Sequence, residues 1–81
     1  MLSSGETVLF EGVIVGFESP EGFDEPALYI QGSVNDEPAG FYVLIPREKH
    51  EELLRLGVGQ MFAGKGVVVK RDPLVLRLVV E

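Results

Sequence analysis

The feature that most limits what this chain can fold into is its hydrophobic period, which is two almost throughout and changes once. In residues 8–17, Val8, Phe10, Gly12, Ile14 and Gly16 share one parity, and Leu9, Glu11, Val13, Val15 and Phe17 share the other. β-Branched and aromatic side chains dominate this run, as they do in strands. Both parities are apolar beyond Glu11, so the strand is expected to be partly covered on both sides. A second strand, Ala27–Val34, sets Leu28, Ile30 and Val34 against Tyr29, Gln31 and Ser33. After a turn at 35–38, a third at 41–45 sets Phe41, Val43 and Ile45 against Tyr42 and Leu44. A fourth strand is expected at 60–70. A fifth at 74–80 alternates Leu74, Leu76, Leu78 and Val80 with Val75, Arg77 and Val79, and Arg77 there can guard an apolar strand against edge-to-edge association.

The single change of period follows Pro46, which ends a strand and suits the first turn of a helix. Residues 47–56 carry helical spacing, with Leu53, Leu54 and Leu56 as a narrow apolar stripe. Glu48 in the first turn and Arg55 in the last suit the helix dipole. Glu51 and Arg55 form an i,i+4 pair in the favoured order, and Gly57 is placed to end the helix. Glycines interrupt two strands: Gly12 and Gly16 in the first, and the stretch Gly64-Lys65-Gly66 in the fourth. Such glycines mark bulges and sharp bends.

Eighty-one residues make one domain, 1–81, with a thin core that buries about 60–65% of the unfolded surface. The chain has no cysteine, which removes disulfides and thiolate zinc sites. Stability therefore rests on apolar packing, which a 46% hydrophobic content supports. The lack of cysteine, of a charged and apolar leader, and of any apolar run long enough to cross a bilayer points to a cytoplasmic protein with no membrane contact.

Element order (strand, strand, strand, helix, strand, strand), the glycine-bent run Val8-Leu9-Phe10-Glu11-Gly12-Val13-Ile14-Val15-Gly16-Phe17 and the stretch Gly64-Lys65-Gly66-Val67-Val68-Val69 carry a resemblance that spans nearly the whole chain. The sequence resembles the OB-fold, an all-β, five-stranded Greek-key barrel with a short helix between strands three and four. An SH3-like barrel is the main competitor, and it usually lacks a full helix at that place. The resemblance implies a ligand surface across strands two and three, framed by the loops at 18–26 and 70–73. It implies a non-enzymatic module that binds single-stranded nucleic acid weakly, with Tyr29 and Tyr42 as stacking platforms. Lys65, Lys70, Arg71 and Arg77 are the candidate phosphate contacts. The plainer reading is that the tyrosines pack on each other across the sheet and the bases are solvated surface.

Charge cuts across that implication. Residues 1–46 hold eight acids and no Lys or Arg, so −8; residues 47–81 hold seven bases and five acids, so +2; the sum is −6. The loop at 18–26 carries Glu18, Glu21, Asp24 and Glu25, which would repel phosphates or pair with Lys70 and Arg71 across the groove. One acidic and one basic rim suit a protein partner better than a polyanion. A protein-interaction or assembly module, including self-association, is thus the alternative. His50, the only histidine, sits at the edge of the helix stripe with no nucleophile in relation to it. The acidic loop lacks EF-hand spacing, and Gly57-Val58-Gly59 precedes a strand rather than a helix. No catalysis, metal or cofactor is expected.

Overall fold

Gly12 and Gly32 stand opposite each other where the first two strands cross. A Cβ on Gly12 would lie 2.5 Å from the Gln31 carbonyl oxygen, and one on Gly32 would collide with the backbone of Glu11 and Gly12. No side chain fits there, so the pair lets the sheet coil tightly enough to close. A computed structural model describes residues 3–53 and 55–80. It contains β1 (Thr7–Phe17), β2 (Ala27–Val34), β3 (Glu37–Leu44), a tight helical turn (Arg47–Lys49) that runs into α1 (His50–Leu53), β4 (Met61–Arg71) and β5 (Leu74–Leu78). The strands close in the order β1-β2-β3-β5-β4, with β4 returning to β1. Every pairing is antiparallel except β3 with β5. This is the five-stranded Greek-key barrel with a short helix between β3 and β4 that the sequence pattern implied.

The barrel is filled by one parity of each strand. Phe10, Ile14, Ile30, Phe41, Val43 and Leu76 are among the fully enclosed side chains, and no polar residue is buried among the described ones. Phe10 is the hub. Its ring meets Phe41 edge-on at 5.6 Å between centroids and Phe62 at 5.8 Å, the offset geometry aromatic rings prefer. Gly64 lies against this ring, and a Cβ there would touch it at 3.5 Å.

Four sequence expectations change. β3 begins at Glu37, not at 41, because the turn needs only Asn35 and Asp36. Both have positive φ, 50° and 69°, as a two-residue type I′ hairpin requires. Asn35 Oδ1 accepts the Leu9 N–H at 3.0 Å and the Asn35 N–H donates to the Leu9 carbonyl at 2.8 Å, which ties the hairpin to β1. Pro38 is tolerated inside β3 because β5 pairs only with residues Tyr42, Val43 and Leu44. The bulge in β4 falls between Val68 and Lys70 rather than at Gly64-Lys65-Gly66, where pairing with β1 runs unbroken; the bulge expected in β1 is present between Ile14 and Gly16. The α-helix is shorter than 47–56. Leu56 packs partly against the core, while Leu54 and the side chain of Leu53 lie outside the described residues. Finally, Arg77 guards no edge, since β5 pairs on both sides.

Candidate functional site

The outer face of β2, β3 and β5 gathers most of the residues singled out from sequence. Tyr29 and Tyr42 are cross-strand partners, with ring centroids 4.9 Å apart and planes inclined by 57°. Both are half-buried. The Tyr29 hydroxyl lies 2.5 Å from where a Cβ on Gly40 would stand, so the bare glycine lets the ring lie along the sheet. Pairing continues this row from Tyr42 to Val75 on β5 and from Val75 to Lys70 on β4. Arg71 follows at the end of β4, opposite Leu74.

Arg77 stands beside Leu44, one parity step along β5 from Val75. Its guanidinium lies 2.9 Å from Glu25 Oε2. That oxygen is buried and accepts no aligned hydrogen bond, so the contact is electrostatic. Within the acidic loop, Glu25 is a carboxylate seen to engage a base, and its partner is Arg77. Lys65 is not part of this face. It pairs with Leu9 on β1, five residues and about 16 Å along β4 from Lys70.

The loop at 18–26 does more than carry charge. Ser19 Oγ donates to the Glu25 carbonyl at 2.9 Å, and the Phe23 N–H donates to the Pro20 carbonyl at 3.2 Å. So braced, the loop seats Phe23 on a second cluster outside the barrel, built from Ala27, Leu44 and Val75 with Tyr42 and Val69 against it. Leu44 and Val75 have outward parity, yet they are 1% and 0% exposed. The groove implied by the resemblance is thus partly filled by the protein's own phenylalanine.

The face left bare is on the other side. β1 was expected to be partly covered on both sides, but its odd residues are open. Leu9 is 60% exposed and Met61 of β4 64%; Val13 and Val15 are also exposed, while Phe17, past the bulge, registers with Leu28 at the end of the strand. Their rows are Leu9 with Lys65, Glu11 with Ala63, and Val13 with Met61. The signal for this face was in the sequence as apolar residues on both parities of β1. Parity alone does not say which outward face a loop will cover.

His50 is structural: its Nε2–H donates to the Ile45 carbonyl at 3.1 Å. Among the described residues no three His, Asp or Glu side chains come together as metal ligands, and no helix is long and apolar enough to cross a membrane. Neither a known family model nor a curated protein matches the sequence.

Proposed function

We propose that this barrel is a non-enzymatic protein-contact module that meets its partner on the outer face of β1 and β4. The observation that carries this reading is the set of exposed apolar residues Leu9, Val13, Val15 and Met61. Contiguous apolar surface of this kind on a small protein marks interaction sites. A cysteine-free chain suits a reducing compartment such as the cytoplasm. A photo-crosslinking amino acid in place of Met61, in the producing cell, tests the reading. Covalent adducts with protein are expected; a chain that crosslinks to nothing there while a buried-site control behaves alike would remove it.

One observation favours a second reading, weak binding of single-stranded nucleic acid: Tyr29 and Tyr42 share a row with Lys70. Lys65 is remote, so this reading takes Lys70, in the tyrosine row, and Arg71, next to it in β4, as its phosphate contacts. Two such contacts predict a slope of about −1.4 for log affinity against log salt on a single strand. Titrating labelled oligonucleotides at low and at physiological salt checks this, and an absence of binding at low salt removes it.

A further inference from the structure

We infer that the loop at 18–26 holds the Tyr29–Tyr42 face shut as an internal stand-in for its ligand, with Phe23 in the place of a nucleotide base and Glu25 in the place of a phosphate; this rests on the nucleic-acid reading above. Phe23 packs on the cluster of Ala27, Leu44 and Val75, which Tyr42 and Val69 also join. Leu44 follows Tyr42 by two residues on β3, about 7 Å along the same outer side of the sheet. The ring is therefore the next aromatic step beyond the tyrosine pair, on a surface of the kind that stacks successive bases. Glu25, two residues on, sets its Oε2 2.9 Å from the Arg77 guanidinium, and Arg77 stands beside Leu44 in register. An apolar seat for a ring and a cation for an anion thus lie side by side, and both are filled from within the chain.

The loop is built to come away as one piece. Ser19 Oγ donates to the Glu25 carbonyl at 2.9 Å and the Phe23 N–H to the Pro20 carbonyl at 3.2 Å, so residues 19–25 keep their shape by bonds among themselves. The feet are fixed: the Glu18 N–H donates to the Ala27 carbonyl at 3.1 Å, and the Ile45 N–H to the Pro26 carbonyl at 3.0 Å. On the face itself the loop rests a half-buried ring and an ion pair whose side chains are 38% and 52% exposed. Exposed pairs of this kind are weak, and here the carboxylate oxygen accepts no aligned hydrogen bond. A phosphate offers the guanidinium fork the aligned, charge-assisted bonds that this oxygen does not make. Charge points the same way. The loop holds four acids, and the β4–β5 hairpin beside it holds Lys70, Arg71, Asp72 and Arg77, so the closed face sums to −4 + 2 = −2 and the uncovered one to +2. A polyanion is repelled by the first and attracted by the second. The measured affinity is then the intrinsic one multiplied by the small fraction of molecules that are open. The row of Tyr29, Tyr42 and Lys70 beside the seat favours a nucleotide strand over an acidic aromatic peptide, since the strand has further bases and phosphates to place there.

Fluorescence anisotropy of a labelled oligothymidylate of about 12 nucleotides, within the span of one such barrel, tests this at low salt. Glu25→Gln and Phe23→Ala are each expected to bind about 3–10-fold tighter than the unaltered chain, because the open fraction rises. Glu21→Gln makes the same change in net charge as Glu25→Gln, −6 + 1 = −5, at an exposed site in the same loop, and falls well short of that gain. Arg77→Ala removes a latch and a phosphate contact together and leaves the affinity of the unaltered chain nearly as it was; in the Glu25→Gln chain it removes only the contact and cancels the gain. Hydrogen exchange on the unaltered chain gives the second readout: the amides of residues 19–25 exchange faster with saturating oligonucleotide than without it. Thermal melts confirm folding, and Glu25→Gln, close to isosteric, carries the test if Phe23→Ala does not fold. Equal affinities for the unaltered chain and the opened variants, an equal gain from Glu21→Gln, weaker binding by Phe23→Ala, or a loop that the oligonucleotide protects would each overturn the inference and leave the nucleic-acid reading in place. A peptide copying residues 18–26 that binds the Phe23→Ala chain more tightly than the oligonucleotide does overturns it in favour of a protein segment. No binding by any of these chains at low salt overturns the inference and the reading together.

Discussion

The two outward faces of this barrel start from the same kind of sequence and end differently. On β3 and β5, Leu44 and Val75 point away from the barrel and are enclosed, because the loop at 18–26 folds over them and seats Phe23. On β1 and β4, Leu9, Val13 and Met61 point away from the barrel and remain open. Strand chemistry does not separate the two sets, since both are apolar residues at alternate positions. What separates them is a nine-residue loop with a buried Pro20, a Ser19 brace and a Glu25–Arg77 contact. The lesson concerns where binding capacity goes. The face expected to take a ligand uses its apolar surface for internal packing, and the face with no loop over it leaves its apolar surface exposed.

The sharpest way to break this comparison uses one residue type on both faces. Leu44→Ala is expected to cost about 2–5 kcal/mol, the usual range for emptying an enclosed site. Leu9→Ala is expected to stay within about 0.5 kcal/mol. Urea unfolding measures both, and equal losses would mean that the bare face is not bare. The next effect is smaller and contrasts two phenylalanines. Phe23→Ala is expected to cost about 1–2 kcal/mol, as for a partly buried ring, and to speed amide exchange across residues 18–26. Phe17→Ala, half exposed at the end of β1 opposite Leu28, leaves both stability and exchange nearly unchanged.

Tyr29 and Tyr42 define the boundary of the covered face. A double-mutant cycle with Tyr29→Ala and Tyr42→Ala is expected to return a coupling of about 0.5–1.5 kcal/mol. A coupling near zero would mean that the rings are independent platforms rather than a packed pair. The smallest effect concerns the charge that holds the loop edge. Glu25→Gln is expected to lower stability by about 0–1 kcal/mol, with the difference shrinking as salt rises, since both partners are partly exposed. A salt-independent loss would place the role of Glu25 in packing instead.

Much of the architecture was legible because it follows from local chemistry. Alternation marked five strands, Pro46 marked the one change of period, and the glycines of β1 marked its bend. The misplacements have physical reasons. Asn35 and Asp36 turn the chain in two residues because their backbones accept positive φ, so β3 starts earlier than Pro38 suggests. Gly64 and Gly66 looked like a bulge but pair unbroken with β1, and Gly66 leaves space for Leu76, which a Cβ there would approach to 3.0 Å, a reason that exists only once that side chain is packed. Of the six candidate contacts, Tyr29, Tyr42, Lys70, Arg71 and Arg77 lie on or beside one face, and Lys65 does not. Its separation depends on β4 wrapping from β5 to β1, which no spacing rule records.

By itself the sequence determined that this chain forms strands, where most of them run, and which parity of β3 fills the barrel, because alternation in hydrophobicity acts over neighbouring residues. Whether an outward apolar residue ends in a second cluster or in solvent was decided only by the tertiary structure. Period two distinguishes the inside of a sheet from its outside, and the path of a loop over that outside depends on contacts between residues far apart in the chain.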